Sequence, residues 1–109
     1  MKLIEKFRTS AGREPFSEWI DALEETTQAK IYAYIVRLAG GGARRNVKPV
    51  GGGVFELKVD TGPGYRVSFG SVGGNVILLL IGGEKSTQSG DIRSAIQYWR
   101  EYREKNKKL

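Results

Sequence analysis

The chain has 109 residues, with 18 basic and 12 acidic side chains and a net charge of +6. It contains no cysteine and no histidine, which excludes a disulfide framework, thiolate chemistry and a Cys/His structural zinc site. Any acid–base chemistry must therefore come from Glu, Asp, Lys, Arg or Tyr.

The length fits one domain spanning residues 1–109. Met1-Lys2-Leu3-Ile4-Glu5-Lys6 carries no signal-peptide apolar region, and no apolar run approaches the roughly 20 residues of a membrane span. A soluble, cytoplasmic chain with no membrane partner is expected. Residues 2–7 read as an edge strand, with Leu3, Glu5 and Phe7 on one side. Residues 9–13 form a polar loop. Pro15 suits the first turn of a helix, and Phe16, Trp19, Ile20 and Leu23 make a stripe at helical spacing that calls for burial. Glu14, Glu18, Asp21, Glu24 and Glu25 make this segment acidic. Thr26 or Thr27 is expected to cap a second helix with Ile31, Ile35 and Leu38 inward. Gly40-Gly41-Gly42 ends it. The two helices form a hairpin on the apolar face of a sheet.

Residues 43–53, ARRNVKPVGGG, read as a basic loop or bulged edge. The three glycines are followed by a strand, not by the helix that a phosphate-cradling loop requires. Next, Phe55, Leu57 and Val59 alternate with Glu56, Lys58 and Asp60, the mark of a strand with one buried face. Gly62-Pro63-Gly64 is a turn. Tyr65, Val67 and Phe69 then alternate with Arg66 and Ser68, completing a hairpin. The continuous run Val76 to Ile81 suits a central strand covered on both faces. If the apolar sets share one face, Glu56, Lys58, Arg66 and Ser68 share a solvated one, and truncating Arg66 is expected to spare the fold. Ser89 is expected to cap a last helix, with Ile92, Ala95, Ile96 and Trp99 on its buried stripe, Tyr102 or Arg103 extending it, and Tyr98 off it. Arg100, Arg103, Lys105, Lys107 and Lys108 make its end basic.

Charge is unevenly placed. Residues 1–43 carry six basic and six acidic side chains, whereas residues 44–109 carry twelve and six. The excess lies on the sheet-rich part and the tail, which favours a polyanionic partner.

The order of elements, together with the strings PFSEWIDAL, VKPVGGGVFELKVDTGPGYRVSFG and LLLIGGEKSTQSGDI, resembles the RelE/ParE toxin superfamily. Within it, the chain is most similar to phage-derived, HigB-like addiction module killer proteins. The resemblance runs from about Pro15 to Trp99. It implies an α+β, RelE-like fold: a small, largely antiparallel sheet packed on an N-terminal helical hairpin, with a C-terminal helix. It also implies the toxin of a type II toxin–antitoxin system, a metal-independent mRNA endonuclease acting on the ribosome. The implied partners are mRNA and a helix-turn-helix antitoxin in a hetero-oligomer, with no cofactor. The alternative within the superfamily is a ParE-like toxin that inhibits DNA gyrase without cutting RNA. Arg66 matches the family's catalytic arginine, Lys58 a basic position on the preceding strand, and Lys85 a basic position after the third meander strand. Relatives often bring a Tyr or His from the start of the last helix; residues 87–91 here, TQSGD, bring neither.

Cleavage by attack of a ribose 2′-oxygen on its phosphorus needs a base, positive charge on the phosphorane and an acid for the leaving 5′-oxygen. Glu56 or neutral Lys58 could serve as base, and Glu56 alternatively orients Lys58 or Arg66 by ion pairing. Arg66 supplies a planar, two-pronged phosphate donor. Lys85 and Lys48 add charge, and Arg44, Arg45, Arg100 and Arg103 are candidate RNA contacts. A plain single-strand RNA-binding platform fits less well, because Tyr65 and Phe69 fall on the apolar face.

Overall fold

The computed structural model describes residues 1–107, so the expectation for Lys108 lies outside them. A five-stranded mixed sheet forms the centre. Its strands are β1 (Leu3–Lys6), β2 (Val47–Gly51), β3 (Val54–Val59), β4 (Tyr65–Val72) and β5 (Val76–Gly83), in the order β1-β5-β4-β3-β2. Strands β2 to β5 form an antiparallel meander. Strand β1 is parallel to β5 at the far edge. Among the described residues there are three α-helices: α1 (Pro15–Ile20), α2 (Glu25–Ala39) and α3 (Gln88–Asn106). The α+β class expected from the sequence is present. No helix among the described residues is long and apolar enough to cross a membrane.

Each face of the sheet carries its own core. On one, Phe16 and Ile20 of α1 and Ile31 and Ile35 of α2 pack with Leu57, Val59, Val67, Phe69, Ile77 and Leu79. The rings of Phe16 and Tyr32 lie 6.1 Å apart, joining the two helices. On the other face, Ala95 and Trp99 of α3 pack with Phe7, Val54, Leu78 and Leu80. Strand β5 thus feeds alternate residues to two layers, as its unbroken apolar run foretold. Two glycines make the close approach possible. A Cβ at Gly82 would collide with the Trp19 ring, and one at Gly70 with the Trp99 ring. One indole therefore packs directly on the backbone at each face of the sheet.

Of the two readings of residues 43–53, the bulged edge holds for Val47–Gly51: β2 is a paired edge strand with a register shift between Pro49 and Gly51, and a 3-10 turn at Arg44–Asn46 leads into it. Several other local expectations need correction. The stripe from Phe16 to Leu23 outruns its helix, which stops at Ile20; Leu23 sits in the following turn, where its N–H donates to the Ile20 carbonyl, and still packs on the core. Neither Thr26 nor Thr27 caps α2, because the N-cap is Glu24; the Gln28 side chain instead donates to the Leu23 carbonyl. Helix α2 ends as expected at its glycines: Gly42 N–H reaches the Arg37 carbonyl and Gly41 N–H the Leu38 carbonyl, with Gly41 at φ +96°. Ser89 lies two residues too late to cap α3, whose N-cap is Thr87. The Thr87 hydroxyl accepts from Glu84 N–H and donates to Asp91 Oδ2 at 2.6 Å. Tyr98 belongs to the packed side of α3 and stacks on Phe7 at 5.1 Å.

Candidate functional site

The face of β3 opposite α1 and α2 changes character along its length. Val54 is buried under α3, Glu56 is also buried at 2 % exposure, and Lys58 emerges into solvent. The expected open polar face is therefore covered by α3 for most of its extent. What remains is a hollow beyond the N-terminus of that helix. Its volume is about 440 Å³, and Arg45, Asn46, Val47, Lys48, Glu56, Lys58, Asp60 and Arg66 line it. Four basic and two acidic side chains leave this hollow with an excess of positive charge.

Register explains the convergence. Lys48 on β2 lies opposite Glu56 on β3, and Lys58 lies opposite Arg66 on β4. Directly opposed residues project to the same face of the sheet, so four side chains of the hollow follow from two cross-strand pairs.

Glu56 is the hub. The Gln88 side-chain amide donates to both of its oxygens, at 2.9 and 3.0 Å. Arg66 Nε lies 3.4 Å from Oε1, and Lys48 Nζ lies 3.9 Å from the same oxygen. Arg66 Nη1 donates to the Gly64 carbonyl at 2.8 Å, while its Nε is buried without a hydrogen-bond partner. The Arg66 side chain is only 12 % exposed. This corrects the expectation that Arg66 stands free on a wet face, the premise for removing it without cost. Alternation gave its direction correctly, but the guanidinium lies against the Gly64 carbonyl and Glu56 instead of in open solvent.

Lys58 does not pair with Glu56. It is 54 % exposed, and its Nζ lies 3.7 Å from Asp60 Oδ1. Asn46 braces this corner, donating to the Lys58 carbonyl at 3.0 Å and to Asp60 Oδ2 at 2.8 Å. Lys85 does not line the hollow but stands beside it: a Cβ added to Gly64 would lie 3.3 Å from Arg66 Nη1 and 3.9 Å from Lys85 Cβ. At φ +80°, Gly64 adopts a conformation that suits glycine.

Not every basic residue named from the sequence comes here. Arg45 does, but Arg44 lines a hollow on the helix-hairpin face with Lys2, Leu38, Phe55 and Phe69. A 3-10 turn has three residues per turn and sends successive side chains in different directions. Arg100 and Arg103 line a third hollow with Gly52, Gly73, Trp99 and Tyr102. They follow Gln88 by twelve and fifteen residues of α3, roughly 18 and 22 Å at 1.5 Å per residue. Sequence reasoning missed Gln88, Asn46 and Asp60 as parts of the site. Asp60 was visible by alternation beside Lys58. Gln88 and Asn46 carried no local signal.

A carboxylate clamped by an amide and flanked by a guanidinium and an ammonium leaves cationic groups facing a cavity. Guanidinium and ammonium groups are the side chains chemically suited to pair with negative charge, above all phosphate oxygens. Residues 18–97 match the phage-derived Gp49-like protein family (DUF891). An uncharacterised protein of Haemophilus influenzae is 43 % identical over 81 residues, covering 73 % of this chain and 81 % of that protein. The chain belongs to the phage-derived Gp49-like family.

Proposed function

We propose that this Gp49-like protein is the toxin of a type II toxin–antitoxin pair and acts as a metal-independent endonuclease on mRNA at the ribosome. The observation that supports this reading is the convergence of Arg45, Lys48, Lys58 and Arg66 on one open hollow, with Arg66 anchored at its floor. The HigB-like strings described above favour the same activity.

In this reading, a ribose 2′-oxygen attacks the adjacent phosphorus. The 5′-oxygen of the next nucleotide leaves, giving a 2′,3′-cyclic phosphate. Arg66 stabilises the phosphorane oxygens through the guanidinium donors that neither face the Gly64 carbonyl nor are buried against Glu56. Lys58, exposed at the rim, moves the proton or neutralises charge. Lys85, which stands near Arg66 beside Gly64, adds a further cation. Glu56 is buried and held by two hydrogen bonds from Gln88, so it does not contact the nucleophile. Lys48 and Arg45 hold the flanking phosphates. A helix-turn-helix antitoxin neutralises the toxin in the cytoplasm by covering or distorting this basic hollow, where complementary charge favours docking.

The test is induced expression with and without the neighbouring antitoxin gene, followed by primer extension on a translated message. Growth arrest with new 5′ ends, both suppressed by the antitoxin, is the expected result. Arrest with intact mRNA and trapped gyrase–DNA complexes would transfer the chain to the ParE-like activity. Normal growth with soluble protein present would remove the toxin reading.

A further inference from the structure

We infer that Gln88, at the start of α3, is a positioning residue that holds Glu56 back from Arg66 and so keeps the guanidinium available to phosphate. The inference builds on the proposed phosphate-handling role of the hollow, but its first readout does not depend on RNA cleavage.

The geometry of Glu56 carries it. A buried carboxylate beside a guanidinium normally closes to about 2.7–2.9 Å in a charge-assisted hydrogen bond. Here the separation from Arg66 Nε is 3.4 Å, and that Nε is left without a hydrogen-bond partner although it is buried. The shorter contacts of Glu56 all go to Gln88 Nε2, at 2.9 and 3.0 Å, one to each oxygen. One amide thus bridges both carboxylate oxygens and fixes the plane of the group. Lys48 is too distant at 3.9 Å to compete with it. Gln88 belongs to a different layer of the fold from Glu56, 32 residues away in sequence. Its place depends on the docking of α3, which Trp99 fixes against Gly70 and the Thr87 hydroxyl fixes at the N-terminal end.

Without the amide, Glu56 is free to swing onto Arg66, complete the missing hydrogen bond and neutralise the charge that a phosphate would meet. Gln88 therefore controls how strongly an internal anion competes with an external one for the same cation. It makes no contact with the reacting atoms in this scheme.

The test uses Gln88→Met, which keeps the side-chain length and removes the donor, with Gln88→Asn as a second variant whose amide is one methylene short. The first readout is the Arg66 Nε–Hε resonance in ¹⁵N NMR of the folded proteins, with Arg66→Lys providing the assignment. In both variants it should move downfield and exchange more slowly with water, as Glu56 closes on it. The second readout is titration with inorganic phosphate, whose affinity should fall about tenfold, the scale set by gaining or losing one charge-assisted hydrogen bond. The third is kcat/KM for RNA cleavage, which should fall by a similar factor. The deciding variant is Glu56→Gln combined with Gln88→Met. It removes the competing charge and should restore phosphate affinity, a rescue that a merely structural role for Gln88 does not predict. An unmoved Nε–Hε signal in both folded single variants overturns the inference. So does a double variant no better than Gln88→Met, or a wild-type Arg66 signal indifferent to phosphate. If the NMR and phosphate effects occur in a protein that cuts no RNA, the positioning role stands and the ribonuclease reading falls.

Discussion

Removing Arg66 should damage the fold as well as the activity. Its guanidinium is the nearest cation to Glu56, a carboxylate only 2 % exposed. Arg66→Ala leaves that charge buried with the Gln88 amide and, at 3.9 Å, the end of a largely exposed lysine. Breaking a buried ion pair by removing one partner typically costs about 3–5 kcal/mol. Because Gln88 still satisfies both oxygens, a value near the lower end, about 3 kcal/mol, is expected here. For a domain of about 100 residues that corresponds to a fall in Tm of roughly 12–24 °C. It is also a large share of a total stability of about 5–15 kcal/mol. The assay is urea unfolding followed by tryptophan fluorescence, on Arg66→Ala, Glu56→Gln and the double variant. The double variant should recover at least half of the loss, since it removes the stranded charge. A loss below about 0.5 kcal/mol for Arg66→Ala, the level of an ordinary surface truncation, would refute this reasoning. An unrecovered loss in the double variant would assign the damage to packing around the Gly62–Gly64 turn. For activity, the consequence is practical: loss of cleavage by Arg66→Ala counts as catalytic only under conditions where the variant is shown to be folded.

Lys58→Ala should behave in the opposite way, because its side chain is more than half exposed and paired only with exposed Asp60; its unfolding midpoint should stay within about 0.5 kcal/mol of the parent while mRNA cleavage drops, and retained cleavage would shift the proton-transfer role to Lys85. Gly82→Ala and Gly70→Ala each drive a methyl group into an indole ring, and should each cost about 1–3 kcal/mol by overpacking, read in thermal melts. In the N-terminal loop, hydrogen bonds from Ser17 and then Arg8 hold the Glu14 carboxyl below the ordinary carboxylate range. Its contribution to folding is therefore complete above the unfolded glutamate pKa of about 4.3 and is lost as pH falls through the lower folded value; carboxyl-carbon NMR should show Glu14 titrating below the solvated glutamates, and Ser17→Ala should move it back up.

The strands that alternate cleanly and the helices with a regular stripe were legible in the sequence, because burial of one face imposes a period that composition records. Strand β2 was not. Lys48 and Pro49 are exposed, and three glycines follow, so nothing in residues 43–53 marks a buried face. The second core was only half legible. The run from Val76 to Ile81 called for cover on both faces, yet Glu56 and Lys58 on the neighbouring strand argued for solvent. Both are true at different points along α3, and a helix's lateral position on a sheet leaves no trace in local spacing. The same limit governs the site. Alternation put Glu56, Lys58 and Arg66 on one face, and cross-strand register added Lys48. The Gln88 contact needs a docked helix to bring two distant segments together, so no local pattern could announce it. Arg44, Arg100 and Arg103 were grouped with the site by charge alone, and charge does not specify direction.

The edge strand β2 also bears on what the sheet can recruit. An exposed edge is a template on which other extended chains can polymerise. Here Pro49 has no amide hydrogen to offer, Lys48 puts an ammonium group at the rim, and the register shift between Pro49 and Gly51 breaks the regular ladder. Each feature discourages strand addition and the aggregation that follows from it. The margin that borders the basic hollow is therefore a poor seed for cross-β growth, and an incoming molecule must be recognised through side chains and charge instead of by lengthening the sheet.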